Sequence, residues 1–226
     1  MFGQNKILKP KKGDGNKLEV QEIFATFQGE GIYTGWPAVF IRLGGCNLAC
    51  KFCDTEFDSF KELDLVDILL KIEGLSFNKN SNRRNIDLVV ISGGEPLRQP
   101  ISRLCRELIK RGFLVQIESN GTLFQKLPKK VKIICSPKNV SGKYHLIRPD
   151  LLPQISAFKF LISAFDKKYS DVPEIGQAQF NTPIYVQPMD EYDERKNAAN
   201  RKLTLKIAQK NGYRLSLQTH KIWGIE

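Results

Sequence analysis

Short apolar runs rich in β-branched residues recur along the 226-residue chain, at 39–43, 88–92, 113–118, 131–135, 157–162, 184–187 and 213–218. Near-continuous apolar runs of this length suit strands of a parallel sheet covered on both faces. Between several of them the apolar spacing turns helical. Residues 65–72 follow Asp64 as a candidate N-cap, 101–111 end at Gly112, and 198–211 end at Gly212. Strands alternating with helices predict right-handed βαβ units. The expected architecture is α/β, with a mostly parallel sheet forming an open or partly closed (β/α) barrel. Residues 18–226 read as one domain. Residues 1–17, with Lys6, Lys9, Lys11, Lys12 and Lys17 and no apolar stretch behind them, read as a flexible basic tail rather than a secretory signal.

Several of the apolar runs lead directly into unusual polar residues. Run 39–43 reaches Gly44-Gly45-Cys46, and run 88–92 reaches Gly93-Gly94-Glu95-Pro96. The later ones reach Glu118-Ser119-Asn120-Gly121, Ser136-Pro137-Lys138 and Gln187-Pro188-Met189-Asp190. In parallel α/β folds ligands sit at the carboxyl ends of the strands. Five segments are therefore expected to converge on one rim, although each alone reads equally well as a turn or a cap.

Three of the five cysteines, Cys46, Cys50 and Cys53, have the spacing C-x3-C-x2-C. Three thiolates leave one coordination position open, as a catalytic metal centre or a three-cysteine iron–sulfur cluster does. A zinc site completed by His145 or His220 is the alternative. Cys105 and Cys135 stand alone in apolar contexts and read as ordinary buried residues. Clustered free thiols without an export signal point to a reducing, cytoplasmic compartment. No apolar run approaches the ~20 residues that cross a bilayer. The formal net charge of +11 is spread along the sequence without a dense basic stripe, so it reads first as general surface basicity, with a tilt towards anionic small molecules and away from direct nucleic-acid binding, and does not decide function.

The cysteine motif, with Phe52 before its last member, resembles the signature of the radical S-adenosylmethionine enzymes, and Ser92-Gly93-Gly94-Glu95-Pro96 resembles their second motif. The match narrows to the 7-carboxy-7-deazaguanine synthase family of queuosine biosynthesis. Its first substrate loop is similar to the run from Glu22 to Gly31. Residues 37–42, Cys53-Asp54-Thr55, Ser136-Pro137-Lys138, Gln187-Pro188-Met189-Asp190 and Gln218-Thr219-His220-Lys221 also resemble it. The resemblance implies a partial barrel of the radical SAM type and a lyase that converts 6-carboxy-5,6,7,8-tetrahydropterin to 7-carboxy-7-deazaguanine with loss of ammonia. It implies one 4Fe–4S cluster on Cys46, Cys50 and Cys53, S-adenosylmethionine, and Mg2+ on Thr55. Phe52, Cys53, Asp54, Gly94, Ser136, Pro137, Lys138, Gln187, Pro188, Met189 and Asp190 would bind S-adenosylmethionine. Phe27, Gln28, Gly29, Glu30, Arg42, Ser92, Glu118, His220 and Glu226 would bind substrate. A reducing partner such as flavodoxin and a homodimer are implied as well.

Each role competes with a plainer one. Thr55 could be a helix N-cap, His220 a satisfied core histidine, and Gly93-Gly94 a tight turn. Two whole-chain rivals also stand. One is an activating enzyme that makes a glycyl radical on a protein, which needs an exposed groove. The other is a zinc-stabilised nucleic-acid module.

Overall fold

The computed structural model describes residues 5–53, 55–78, 80–81, 83–140 and 142–225. In chain order the elements are β1 (Lys17–Phe27), β2 (Pro37–Leu43), β3 (Lys61–Asp64), α1 (Leu65–Ser76), β4 (Phe77–Asn78), β5 (Arg83–Arg84), β6 (Leu88–Gly93) and α2 (Ser102–Lys110). Then follow β7 (Leu114–Ser119), β8 (Lys132–Cys135), β9 (Ile155–Ile162), β10 (Ile184–Pro188), α3 (Glu194–Asn211), β11 (Arg214–Leu215) and α4 (Thr219–Trp223). Among the described residues, nine strands form one sheet in the order β11-β10-β9-β8-β7-β6-β2-β1-β3. From β2 to β11 every pairing is parallel. β1 and β3 add an antiparallel edge. β4 and β5 form a small pair of their own.

The pleat of the strands decides which residues make the core and which make the site. Val39 and Ile41, Val89 and Ile91, Val115 and Ile117, and Phe158 and Phe160 all belong to one cluster with Ile68, Ile72, Leu104, Leu108, Ile207 and Ala208 of α1, α2 and α3. The alternate residues point the other way, because successive side chains of a strand leave opposite faces. On β2 these are Phe40 and Arg42; on β7, Gln116 and Glu118; on β9, Lys159 and Leu161. That second face was expected to be covered like the first. It instead forms the concave wall of a cavity, with only a small apolar cluster of Ala38, Leu88 and Val90 packed by Tyr33 and Phe40. The barrel is accordingly partial and open.

Several boundaries move. The segment 22–27, read as part of a substrate loop, is strand: Lys17–Phe27 pairs with β2 from Val20↔Leu43 to Phe27↔Pro37. α3 begins at Glu194 because Asp193 caps it, its carboxylate accepting from Lys196 N at 3.0 Å. Asp64 occupies the N-cap position of α1, but its side chain makes no capping hydrogen bond. The last strand shrinks from 213–218 to Arg214–Leu215, since the chain turns away from the sheet towards α4. Cys105 and Cys135 are buried, as expected.

Residues 5–16 lie against the domain: Leu8 N donates to Cys46 O at 2.7 Å and Lys11 N to Arg98 O at 2.7 Å. The Lys11 ammonium pairs with Glu19 at 3.1 Å and Glu62 at 2.9 Å. The lysines spread the charge of a packed strap whose backbone bonds hold it down.

Candidate active site

A cavity of about 330 Å³ opens at the carboxyl ends of the parallel strands. Cys46, Leu48, Cys50, Phe52, Cys53 and Thr55 form one side of it. Gly94, Ser136, Lys138, Gln187, Met189 and Asp190 lie on the rim, while Phe27, Gln28, Gly29, Glu30, Arg42, Ser92, Glu118 and His220 complete the lining. Pro137 and Pro188 fall outside the lining, although both of their chain neighbours belong to it. Asp54 and Glu226 lie outside the described residues.

The described residues of the cysteine loop carry almost no regular structure, so local bonds shape them. Cys53 N donates to Cys50 O at 3.1 Å, and Gly45 N to Phe57 O at 2.9 Å. Leu48, Phe57 and the partly buried Val140 pack around the thiols. Phe52 turns its ring edge-on to Tyr169, with centroids 5.2 Å apart, and Tyr169 accepts a bond from Asn139 N at 2.8 Å. Burial pushes the Cys46 thiol up to about 12. Burial also raises Cys50, partly opposed by Lys138. Neutral thiols of this kind are deprotonated by the metal that they ligate, so loading the site releases protons. Thr55 leads into coil rather than helix, which removes its plainer role as an N-cap.

The donor set suits a cluster with one open iron. Amides face the sulfurs: Leu48 N stands 3.4 Å and Asn120 Nδ2 4.0 Å from Cys46 Sγ, and Asn5 Nδ2 3.8 Å from Cys53 Sγ. Such hydrogen bonds and an apolar surround are what tune iron–sulfur centres. Among the described residues no three His, Cys, Asp or Glu side chains converge as ligands of a single ion. Thiols spread over separate irons do not need that convergence.

The second motif is locked to the first. Glu95 is buried and accepts from Leu97 N at 2.9 Å, Ser119 Oγ at 2.9 Å and Asn120 N at 2.7 Å. Burial pushes its carboxyl up despite these donors. Glu95 N in turn donates to Gly45 O at 3.1 Å. A Cβ on Gly94 would stand 2.0 Å from that same carbonyl oxygen. Glycine is needed there for the two motif loops to touch, a reason additional to cofactor approach.

Opposite the thiols lies a charged network that sequence reasoning saw only in part. Lys159, whose side chain is 7% exposed, reaches Glu30 at 2.5 Å and Glu118 at 2.9 Å. Glu30 also accepts from Gln187 Nε2 and Gln218 Nε2, both at 3.0 Å. Glu118 accepts from Gln116 Nε2 at 2.8 Å and Gln28 Nε2 at 3.5 Å. Burial alone would raise Glu30, but Lys159, Gln218 and His220 outweigh it and hold the carboxyl at about 2. Lys159 is held above its ordinary range because the same two carboxylates outweigh its own burial. Its one sequence signal was a lone lysine between Phe158 and Phe160 in an apolar strand. Arg42 is oriented by Glu22 at 2.6 Å and by the face of Phe24, 5.3 Å away.

The C-terminal segment closes over this wall. Thr219 N donates to Gly29 O at 3.1 Å, and Lys221 pairs with Asp190 at 2.5 Å. His220 packs so near Gly29 that a Cβ there would stand 2.1 Å from its Nδ1.

Comparison with known proteins agrees with this geometry. The Radical SAM superfamily profile matches residues 40–141. The chain is 57% identical to the 7-carboxy-7-deazaguanine synthase of Rickettsia prowazekii, over 100% of its own length and 96% of that protein. It is 39% identical to the 7-carboxy-7-deazaguanine synthase of Rhodospirillum rubrum, over 98% of each chain. The crystal structure of QueE from Escherichia coli superposes with a TM-score of 0.70 over 89% of this chain and 94% of that one, at 24% identity, and so shows the shared fold. With full-length identity of this order, and three thiols at the mouth of an open barrel, the chain belongs to the 7-carboxy-7-deazaguanine synthase family of radical SAM enzymes.

Proposed function

We propose that this chain forms 7-carboxy-7-deazaguanine from 6-carboxy-5,6,7,8-tetrahydropterin with loss of ammonia, as a step towards queuosine. The observation that carries the reading is one cavity with three thiols on one side and Arg42, Gln28, Glu118 and His220 on the other. When bound, a reduced 4Fe–4S cluster and S-adenosylmethionine supply the radical chemistry, and the chain's own residues position the reactants and exclude water.

Arg42 offers a planar pair of donors to the substrate carboxylate. Gln28, with the backbone of Phe27 and Gly29, reads the amide edge of the pterin, and Ser92, Glu30, Glu118 and His220 surround the rest. The backbone around Phe52, Cys53 and Gly94 receives S-adenosylmethionine, with Ser136, Pro137, Lys138 and residues 187–190 around its nucleoside. Thr55 would give Mg2+ an oxygen ligand. The chain works in the cytoplasm as a homodimer and takes its electron from a small redox protein such as flavodoxin. Among the described residues no helix is long and apolar enough to cross a membrane. The roofed cavity suits a small molecule better than the open groove a protein substrate needs.

The test is an anaerobic incubation of the reconstituted chain with the tetrahydropterin, S-adenosylmethionine, Mg2+ and a reductant. Formation of the deazapurine is expected, and its absence in a chain carrying a full complement of iron rejects the proposal. Gly29→Ala gives a narrower check. The added methyl must displace the imidazole of His220, so KM for the pterin is expected to rise about tenfold, the loss of roughly one hydrogen bond. The same KM as the parent would remove His220 from the substrate wall.

A further inference from the structure

The N-terminal strap is the one feature singled out in the sequence that the proposed reaction leaves without a task. Its described residues touch both ends of the cysteine loop. At one end Leu8 N donates to Cys46 O at 2.7 Å, and Ile7 bridges Cys46 in parallel register. At the other, Asn5 acts through both atoms of its amide. Its Oδ1 accepts from Phe57 N at 3.4 Å, and its Nδ2 donates to Thr55 O at 2.9 Å and faces Cys53 Sγ at 3.8 Å. Lys6 N adds a bond to Asp58 at 3.2 Å.

The strap is anchored away from the thiols. Lys11 N donates to Arg98 O at 2.7 Å, and the Arg98 guanidinium donates to Lys9 O at 3.3 Å and to Gly44 O at 2.9 Å, just before Cys46. Lys11 pairs with Glu19 and Glu62. Among its described residues the loop between Cys46 and Phe57 has few backbone bonds of its own, so these contacts help set the separation of its first and last thiols.

We propose that Asn5 is a positioning residue for the iron–sulfur centre: its amide clamps Thr55 and Phe57 and donates to the Cys53 sulfur, holding the cluster in place and raising its reduction potential. The inference rests on the reading of Cys46, Cys50 and Cys53 as cluster ligands. An N–H directed at a ligating thiolate draws off negative charge and eases reduction, and removing partners of this outer kind costs ~10–100-fold in metal affinity. The strap thus links an otherwise unassigned segment to the electron-accepting step of the reaction.

The experiment uses the full chain, reconstituted anaerobically, with iron and sulfide counted first. A parent chain that takes up no cluster sinks the family reading of the cysteines, and is recognised before any variant is compared. Three variants follow: Asn5→Leu removes the amide at similar volume, Asn5→Asp keeps the acceptor for Phe57 N but replaces the donor, and Lys11→Ala cuts the remote anchor. The potential is read by an EPR-monitored redox titration, and cluster retention by the rate of iron loss to a chelator. Both Asn5 variants are expected to titrate at a more negative potential, Asn5→Asp furthest, and to lose iron at least tenfold faster, while Lys11→Ala keeps the parent potential. Parent-like potentials in both Asn5 variants overturn the proposal. So does a shift in Lys11→Ala as large as that in Asn5→Leu, which would reduce the role of Asn5 to loosening of the strap.

Discussion

Replacing Cys53 with alanine is expected to abolish cluster assembly, and with it all product formation, while the polypeptide keeps its fold. The two halves of this expectation have different origins. Cys53 is only partly buried and sits in coil. It joins the small cluster of Cys46, Leu48 and Phe57, apart from the large core between the sheet and α1, α2 and α3. Losing one sulfur from a partly exposed loop costs stability about 1 kcal/mol, near the centre of the distribution for point substitutions. Its chemical cost is of another order. Two thiolates remain for a cluster that needs three, so one iron loses its protein ligand. Iron and sulfide analysis after anaerobic reconstitution, beside far-ultraviolet circular dichroism, checks both halves. A variant holding four irons and turning over at the parent rate would remove Cys53 from the ligand set.

What is legible in the sequence follows from the range of the interactions involved. The parallel strands were legible because each buries its residues within a few positions: 88–92 became Leu88–Gly93, and 157–162 became Ile155–Ile162. Their polar carboxyl ends placed nearly the whole candidate rim. β1 was missed because Leu18, Val20 and Ile23 alternate with charged and polar residues at an antiparallel edge, where an apolar run is not required. Lys159 was visible only as an exception inside a strand. Its meaning depends on Glu30, 129 residues away, and Glu118, 41 residues away. Asn5 had no local signal, since its partners begin 48 residues later. Short-range periodicity carries the scaffold, whereas the wiring of the site is long-range and emerges only when the sheet brings its strands together.

That wiring makes the loss of Lys159 costly to the stability of the chain. In Lys159→Met a side chain of similar length is kept, but the carboxylates of Glu30 and Glu118 lose their shared cation inside the protein. Breaking a buried pair by removing one partner costs about 3–5 kcal/mol, because the remaining charge stays desolvated. Against a total of about 5–15 kcal/mol for a folded domain this is a large fraction. The direction of the pH dependence should also reverse. In the parent, Glu30 is held at about 2 against an ordinary 4.5, a depressed value. Its contribution is therefore fully present above about 4.5 and is lost as pH falls towards 2. Without Lys159, burial becomes the dominant influence and lifts the carboxyl above its unfolded value. Protonation then favours the folded state, so the variant should gain stability as pH is lowered from neutrality through that raised value. Urea unfolding of the metal-free protein at pH 7 and pH 5 reads both effects. Lys159→Met is expected to be several kcal/mol weaker at pH 7 and to recover part of that at pH 5, while Lys159→Arg, which keeps the charge, stays near the parent. Because Glu30 also holds Gln218 of the C-terminal segment, Lys159→Met should weaken pterin binding too. A variant with parent stability at pH 7 and no gain at pH 5 would mean that Glu30 does not depend on this lysine for its ionised state.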